Sequence, residues 1–199
     1  MANFQEALPK ILRHEGCNLD VDGQPIQGQT GYVNNPDDPG GETNYGITRQ
    51  EATDNGWTGD MHDIPFTLVC SIYKAQYWDK VMGDGISDQE IATEVFDTAV
   101  NCGTVVAVRF LQTVLNALNG KQSQRWPDLV TDGVMGNMTM FALNAALAYR
   151  PYMRLIILRA IDSLQCVLYL NLAKKNKKYK TFMSGWIGQR CGISGQEVG

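Results

Sequence analysis

The sequence predicts a mainly α-helical fold in which the first helix is followed by a long loop or short hairpins. Three observations lead to this expectation. Apolar side chains recur at helical spacing near the start of the chain, and several later segments share the pattern. Residues 17–46 are instead crowded with Gly, Pro, Asn and Asp, which favour turns. A chain of 199 residues is also long enough to bury a sizeable core.

The chain opens with an amphipathic helix that ends near Glu15. Its apolar face is formed by side chains three or four positions apart, namely Phe4, Ala7, Leu8, Ile11 and Leu12. The segment lacks the basic start, the unbroken apolar stretch and the small-residue cleavage site of a secretory signal. We therefore expect synthesis in the cytoplasm without a cleavable signal.

The next elements follow from turn residues and helical patterns in chain order. The turn-rich residues 17–46 form a loop of a length that is usually functional. Thr48 is then placed to cap a second helix, with Glu51 three residues later in the capping-box arrangement. Further helices are predicted at about Pro65–Trp78, Asp88–Asn101, Val105–Leu118, Thr139–Leu147 and Tyr152–Lys174.

Composition and charge exclude several classes of protein. With 44% hydrophobic and 19% charged residues, the chain resembles an ordinary globular protein, which argues against disorder. A net charge of −4 does not provide the broad basic face that nucleic acid requires. The most apolar stretch, residues 155–172, is interrupted by polar side chains, whereas a membrane span needs about twenty nearly unbroken apolar residues. We therefore predict a core helix there, no stable membrane insertion and no nucleic-acid partner.

The cysteines and histidines form no pattern typical of a metal site. The five cysteines are odd in number and widely spaced, so free thiols in a reducing compartment are expected. His14 and His62 are too few and too far apart for a zinc site. Residues 20–23, DVDG, look like the start of a calcium loop but lack the further acidic series and the distal glutamate. We predict no metal and no cofactor.

Glu15 and the acidic stretch Asp37–Glu42 contain the candidate catalytic groups. Cleavage of a glycosidic bond needs a carboxylic acid that protonates the leaving oxygen, and usually a second carboxylate. By residue type alone, a glutamate at a helix end is more often a solvated surface residue, and aspartates in a turn often bond backbone amides. A cysteine nucleophile at Cys17 would need a positioned histidine, for which His14 offers little support.

A longer pattern favours the catalytic interpretation. His14-Glu15-Gly16 is followed, after a further segment, by YVNNPDDPGGETNYGIT at residues 32–48. This string resembles the signature of glycoside hydrolase family 108, the phage and bacterial N-acetylmuramidases, in which E-G-G precedes N-x-P-x-D-x-G-G-x-T-x-Y-G-I-T. Nearly the whole chain is covered, because later segments also resemble the family, at Tyr73–Trp78, Phe96–Gly103 and Phe182–Trp186.

The resemblance implies roles for three residues near the start of the chain. Glu15 corresponds to the general acid of the family. Asp38 and Thr43 stand where the aspartate and threonine of phage-lysozyme-like sites would be sought. We prefer Asp38 to Asp37 because it holds the D-x-G-G position, and the Thr43 hydroxyl could orient a water molecule.

Three further residues are assigned to a substrate groove. Asp97 and Asn101 lie four positions apart and so share one face of a predicted helix, where capping of helices and loops would explain them equally well. Tyr45 could stack on a sugar face, although burial in the core is the default for a tyrosine. The family resemblance favours a position in the substrate groove for all three residues.

The chain departs from the family pattern beside the acid. Cys17 replaces the second glycine after Glu15, and residues 18–31 look like an insertion before Tyr32. The implied site forms only if this segment loops out and the Gly40–Gly41 turn returns against Glu15. We expect that it does.

The second half of the chain resembles the predicted peptidoglycan-binding region that accompanies this family. The resemblance lies in residues 110–112, FLQ, and residues 132–139, DGVMGNMT, although a glycine-bearing turn before a helix also suits a plain connector. We therefore expect a catalytic region at 1–103 and a helical binding region at 104–199, packed together in one compact unit with a lysozyme-like fold.

The resemblance implies an endolysin-type muramidase that hydrolyses the β-1,4 bond between N-acetylmuramic acid and N-acetylglucosamine in peptidoglycan and lyses the host cell. Its partners would be peptidoglycan glycan strands and, for access to the wall in the periplasm, a phage membrane-pore protein. A lytic transglycosylase is the enzymatic alternative, and a non-catalytic wall-binding or virion structural protein is the other. The presence of Glu15 argues against a non-catalytic protein. Partial burial should raise the pKa of Glu15 so that it is protonated at working pH.

Overall fold

Helices dominate the part of the chain that the computed structural model describes, which comprises residues 1–34 and 41–191. The predicted mainly α-helical class is therefore confirmed. The helices in this part of the chain are α1 (Phe4–His14), α2 (Arg49–Asp54), α3 (Phe66–Tyr73), α4 (Gln89–Cys102), α5 (Thr104–Leu118), α6 (Asn137–Tyr149), α7 (Met153–Lys175) and α8 (Met183–Arg190).

Two small antiparallel sheets follow α1, as the turn-rich sequence predicted. The first is a hairpin of β1 (Cys17–Leu19) and β2 (Pro25–Thr30), in which Cys17 lies opposite Thr30. The second has the order β3–β4–β5, and its strands are β3 (Val33–Asn34), β4 (Glu42–Asn44) and β5 (Ile47–Thr48). The short strands therefore lie between α1 and α2 in the chain, and β1 packs against α1.

The apolar face of α1 is buried as predicted, against the central helix α4. The helix begins after Asn3, whose side chain accepts a hydrogen bond from the backbone of Gln5 at 2.9 Å. Its buried side chains are the five apolar residues that the sequence pattern identified. Phe4 packs edge-on against Trp78, with ring centroids 5.8 Å apart, and also contacts Phe96 of α4. This packing fixes the end of α1, where Glu15 lies.

Ile11→Ala is expected to lower the free energy of unfolding by about 2–5 kcal/mol, because the Ile11 side chain is fully buried and its removal leaves a cavity. Chemical denaturation measures the change. Gln5→Ala, on the exposed face of α1, is the matched control and should stay within about 0.5 kcal/mol of the parent. Equal stability of the two variants would contradict the packing described for α1.

The second half of the chain packs on α4 through α5 and α7. Within it, the turn at residues 132–136 is tied to α5 by Gln112, a buried residue. The Gln112 amide donates to Asp132 at 2.9 Å, and its oxygen accepts from the backbone of Gly133 at 2.9 Å. Gly133 has a φ of +81°, and a Cβ there would lie 2.6 Å from Val105. The two segments that resemble the family's second region are thus in contact.

One face of α7 lies in the core, as predicted, and the opposite face is exposed. The buried residues follow helical spacing, namely Met153, Ile157, Leu158, Ile161, Gln165, Tyr169 and Ala173. In the part of the chain that the structure describes, α7 is the one helix long and apolar enough to cross a membrane by length and composition. That criterion is weak evidence, since core helices also meet it.

The expectation that all five cysteines are free thiols is wrong for two of them. Cys166 of α7 and Cys191 form a disulfide, with their Cα atoms 5.9 Å apart. Residues 25 positions apart meet because the chain turns back after α7 and α8 packs on it. Cysteine spacing does not reveal such a reversal. The inference of a reducing compartment, which depended on free thiols, loses this support.

Candidate active site

Glu15 lies immediately after α1, where two turns of the following strands come against it. Gly46 approaches its side chain so closely that a Cβ there would lie 2.8 Å from Glu15 Cγ. Gly31 approaches its backbone, and a Cβ there would lie 2.5 Å from the Glu15 carbonyl oxygen. Both glycines have positive φ, which other residues rarely adopt. The absence of a side chain at Gly31 and Gly46 therefore allows these two turns to pack against the acid.

The Glu15 carboxyl is partly buried and forms an ion pair with Arg190 at the end of α8. Arg190 Nη2 donates to Glu15 Oε1 at 2.8 Å, and the Glu15 side chain is 25% exposed. Burial raises the pKa of Glu15, the charge of Arg190 lowers it and the charge of Asp97 raises it. The net direction is upward, as expected for a general acid.

Asp97 lies behind Glu15 and not in the groove to which we assigned it. Its side chain is 1% exposed, because α1 covers it on one side and Arg190 on the other. His14 Nδ1 lies 2.9 Å from Asp97 Oδ1, and Arg190 Nε lies 3.7 Å from Oδ2. Burial raises the pKa of Asp97, but the hydrogen bond and charge of His14, with the charge of Arg190, hold it below its ordinary value. The buried Asp97 carboxylate thus positions His14 and Arg190 beside Glu15.

A cleft of about 390 Å³ opens at Glu15. Asn101, predicted in the groove, does line it, and its amide donates to the hydroxyl of Tyr169. The residues that line the cleft come from both halves of the chain: His14, Glu15, Gly46, Ile47, Glu51, Tyr73, Tyr77, Val100, Asn101, Trp186 and Arg190. A cavity of this size and polarity suits part of an oligosaccharide.

Two tyrosines provide neutral hydroxyl groups in the cleft. The Tyr73 hydroxyl donates to the carbonyl oxygen of Tyr45 at 2.7 Å, which ties α3 to the turn before Gly46. Burial raises the pKa of Tyr77 to about 12 and that of Tyr73 well above its usual value. Both phenols are therefore protonated near neutral pH and can donate hydrogen bonds.

Glu51 is a second carboxylate in the cleft. The predicted capping box is present, since Glu51 Oε2 accepts from the backbone nitrogen of Thr48 at 2.9 Å and from its hydroxyl at 2.8 Å. Its other oxygen accepts from the Tyr77 hydroxyl at 3.3 Å. The sequence identified Glu51 as a cap only, and both of its carboxylate oxygens accept hydrogen bonds within the protein.

The other assigned residues lie apart from this cleft or outside the described residues. Asp38 and Gly40 lie outside the described residues. Thr43 lies on β4, half-buried between Val33 and Thr48 of the neighbouring strands, and is not among the described residues that line the cleft. The Tyr45 ring packs against Phe66, with centroids 5.6 Å apart, and borders a second pocket.

Arg190 is the main functional residue that sequence reasoning missed. It is 175 positions from Glu15, and its side chain is 7% exposed although it carries a charge. A lone arginine near the end of a helix gives no signal of its partner. Trp186, one turn earlier on α8, also lines the cleft.

Comparison with known proteins yields two family matches and a set of similar structures. Residues 8–103 match the model described as Glycosyl hydrolase 108, and residues 106–191 match the one described as Predicted Peptidoglycan domain. Among solved structures, that of Brucella abortus SagA is 26% identical, with a TM-score of 0.61 over 92% of this chain and 86% of that chain. No curated protein matches.

Proposed function

Because residues 8–103 belong to glycosyl hydrolase family 108 and residues 106–191 match a predicted peptidoglycan domain, we propose that the chain is a muramidase that hydrolyses the β-1,4 bond between N-acetylmuramic acid and N-acetylglucosamine. The family establishes a glycoside hydrolase that acts on peptidoglycan. The observation that carries the finer proposal is the partly buried Glu15 carboxyl in the cleft, with its raised pKa. A neutral carboxyl there can protonate a glycosidic oxygen.

The environment of Glu15 suits a group that gives up and regains a proton. Burial favours the protonated form of Glu15 before reaction, and a glycan in the cleft would displace more water and strengthen that preference. When Glu15 has donated its proton, Arg190 at 2.8 Å stabilises the carboxylate that remains. Asp97 in turn holds Arg190 and His14 in position. Burial thus favours the protonated form of Glu15, and Arg190 stabilises its ionised form.

Arg190→Gln should move the basic limb of the pH–activity profile to higher pH. The guanidinium lowers the pKa of Glu15, so its loss raises that pKa, and the acid then stays protonated at higher pH. Initial rates on peptidoglycan across a pH series measure this limb. Arg190→Lys keeps the charge and should shift the limb less. A limb that moves to lower pH in Arg190→Gln, or does not move, would contradict the assigned coupling.

We propose that Asp38 and Thr43 assist the attacking water, on the family resemblance of the D-x-G-G and G-G-x-T elements. Asp38→Asn and Thr43→Ala should each lower turnover at least about tenfold, whereas Asp37→Asn should have a smaller effect. Turnover on purified peptidoglycan and the melting temperature are the measurements. Equal activity in all three variants, with unchanged melting temperature, would remove this loop from catalysis.

Both matched regions contribute to the cleft, which supports the proposal of one compact unit with a catalytic region at 1–103 and a binding region at 104–199. Glu15 and Asn101 come from the first region, and Trp186 and Arg190 from the second. Contacts of α4 with α5 and α7 join the two. We propose that glycan bound by the second region lies directly over the acid.

A lytic transglycosylase is the second candidate, and one observation favours it. Such an enzyme needs a single catalytic glutamate, and within residues 1–34 and 41–191 the other cleft carboxylate, Glu51, is engaged as a helix cap. Hydrolysis is preferred because the family match is to a glycosyl hydrolase. The two reactions differ in whether the product gains the elements of water.

The release of soluble sugar from purified peptidoglycan tests the proposed function. The parent should release fragments with reducing ends, and the Glu15→Gln variant should not. A parent that binds peptidoglycan without releasing fragments would instead support a non-catalytic wall-binding protein.

We further propose that the protein acts on the wall in the periplasm after synthesis in a host cytoplasm, with lysis dependent on a phage membrane-pore protein. The packing of α1 supports this proposal, because α1 contributes core side chains and positions Glu15. Cells that express the chain alone should stay intact until the inner membrane is breached. An active species recovered from the periplasm without α1 would contradict this route.

A further inference from the structure

A second pocket adjoins the cleft at Glu15. Its volume is also about 390 Å³. Glu15 and Gly46 line the cleft, and their chain neighbours Gly16 and Tyr45 line the pocket, so the two cavities share a wall. The pocket is lined by Gly16, Asn18, Gln27, Gly28, Gln29, Thr30, Gly31, Tyr32, Tyr45 and His62.

The β1–β2 hairpin, which contributes half of the residues that line this pocket, is held close to the acid. Cys17 Sγ donates to the carbonyl oxygen of Thr30 at 3.1 Å, and the backbone nitrogen of Tyr45 donates to the same oxygen at 3.0 Å. Gly31 is in close contact with the backbone of Glu15. This hairpin includes the segment 18–31 that looks like an insertion in the family pattern, so the family signature does not account for the pocket.

The lining combines side-chain amides with aromatic rings. Asn18 Nδ2 donates to Gln29 Oε1 at 2.6 Å, which orients both amides, and Gln27 lies two positions from Gln29 on the exposed strand β2. Tyr32 stacks on His62 with ring centroids 3.7 Å apart. No Asp, Glu, Lys or Arg is among the described residues that line it. Such a surface fits a neutral ligand with hydroxyl and amide groups, and not an anion.

We propose that this hairpin pocket is a specificity subsite for a 2-acetamido sugar of the glycan strand, next to the bond at which Glu15 acts. The amides of Gln27 and Gln29 recognise the acetamido and hydroxyl groups, and Tyr32 and Tyr45 border the sugar ring. The proposal rests on the proposed function, because it places a glycan in the adjacent cleft. It adds that the inserted hairpin selects N-acetylated sugars.

Binding to an inactive protein tests the subsite without turnover. In a Glu15→Gln background, calorimetry would compare tetra-N-acetylchitotetraose with cellotetraose, which lacks acetamido groups. The added double change Gln27→Ala and Gln29→Ala should weaken binding of the chitotetraose at least about tenfold. Gln24→Ala is the matched control, because Gln24 is exposed in the same hairpin and does not line the pocket. The double variant should leave the weaker cellotetraose binding unchanged.

The active protein provides the second measurement. The double variant with Glu15 intact should raise KM for peptidoglycan about tenfold, with kcat nearly unchanged. If the double variant binds chitotetraose as tightly as the Gln24→Ala control and has the same KM, the subsite is overturned. The proposed function would remain intact. If the parent fails to cleave peptidoglycan but the double variant still loses chitotetraose binding, the proposed function fails and the sugar site stands.

Discussion

The Glu15→Gln variant is expected to degrade peptidoglycan at least about a hundredfold more slowly than the parent. Glutamine keeps the shape of the side chain and an oxygen that can accept the hydrogen bond from Arg190, but it has no proton to transfer. Because Glu15 is partly buried beside Arg190 and His14, no exposed acid can readily replace it. The loss should therefore appear in turnover and not in wall binding.

Clearing of permeabilised cells measures this loss, and sedimentation with purified peptidoglycan measures binding. Glu6→Gln is the matched control, since Glu6 lies on the exposed face of α1 and makes the same chemical change. It should retain parental activity. If Glu15→Gln clears cells within a few-fold of the parent, Glu15 is not the acid.

Asp97→Ala is expected to lower the free energy of unfolding by about 3–5 kcal/mol, the second large effect. The change removes one of the two carboxyl groups beside the buried Arg190, leaving Glu15, and it removes the partner of His14. It also removes a charge that raises the pKa of Glu15, so the basic limb of the activity profile should move to lower pH. This direction is opposite to that expected for Arg190→Gln.

Acid conditions should reduce the stability difference between Asp97→Ala and the parent. The folded-state pKa of Asp97 is lowered, so its contribution is present above the ordinary pKa and is lost as pH falls through the lowered value. Chemical denaturation at neutral and at acidic pH measures the free energy of unfolding of the variant and of the parent. Asp63→Ala removes an exposed carboxylate and should change stability by less than about 0.5 kcal/mol. If Asp97→Ala is as stable as Asp63→Ala at neutral pH, Asp97 does not stabilise the buried network as described.

Local signals in the sequence predicted most of the helices. The apolar face of α1 and the Thr48–Glu51 capping box depend on residues within one or two turns, so their geometry follows from spacing alone. The turn-rich stretch after α1 was predicted as a long loop or short hairpins for the same reason, and the described part of it forms short strands. These elements are also what carries Glu15 and lets the loop pack against it.

The parts that spacing did not predict depend on contacts between distant segments. Asp97 and Asn101 share a face of α4, but α1 and Arg190 cover the first, whereas the second borders the cleft. The sequence indicates that the two residues share a face of α4, but it does not indicate which segments cover each turn of that face. The Cys166–Cys191 disulfide has the same cause, since it requires α8 to return along α7 and bring Arg190 to Glu15.

Mass spectrometry of the digestion products in water enriched in oxygen-18 tests the central claim most directly. If the protein is a hydrolase that cleaves after N-acetylmuramic acid, the fragments should end in reducing muramic acid that carries one heavy oxygen atom from the solvent. Digestion should depend on Glu15. Anhydro-muramic ends without heavy oxygen would show a transglycosylase, and reducing N-acetylglucosamine ends would show cleavage of the other glycosidic bond. Either result would contradict the proposed muramidase.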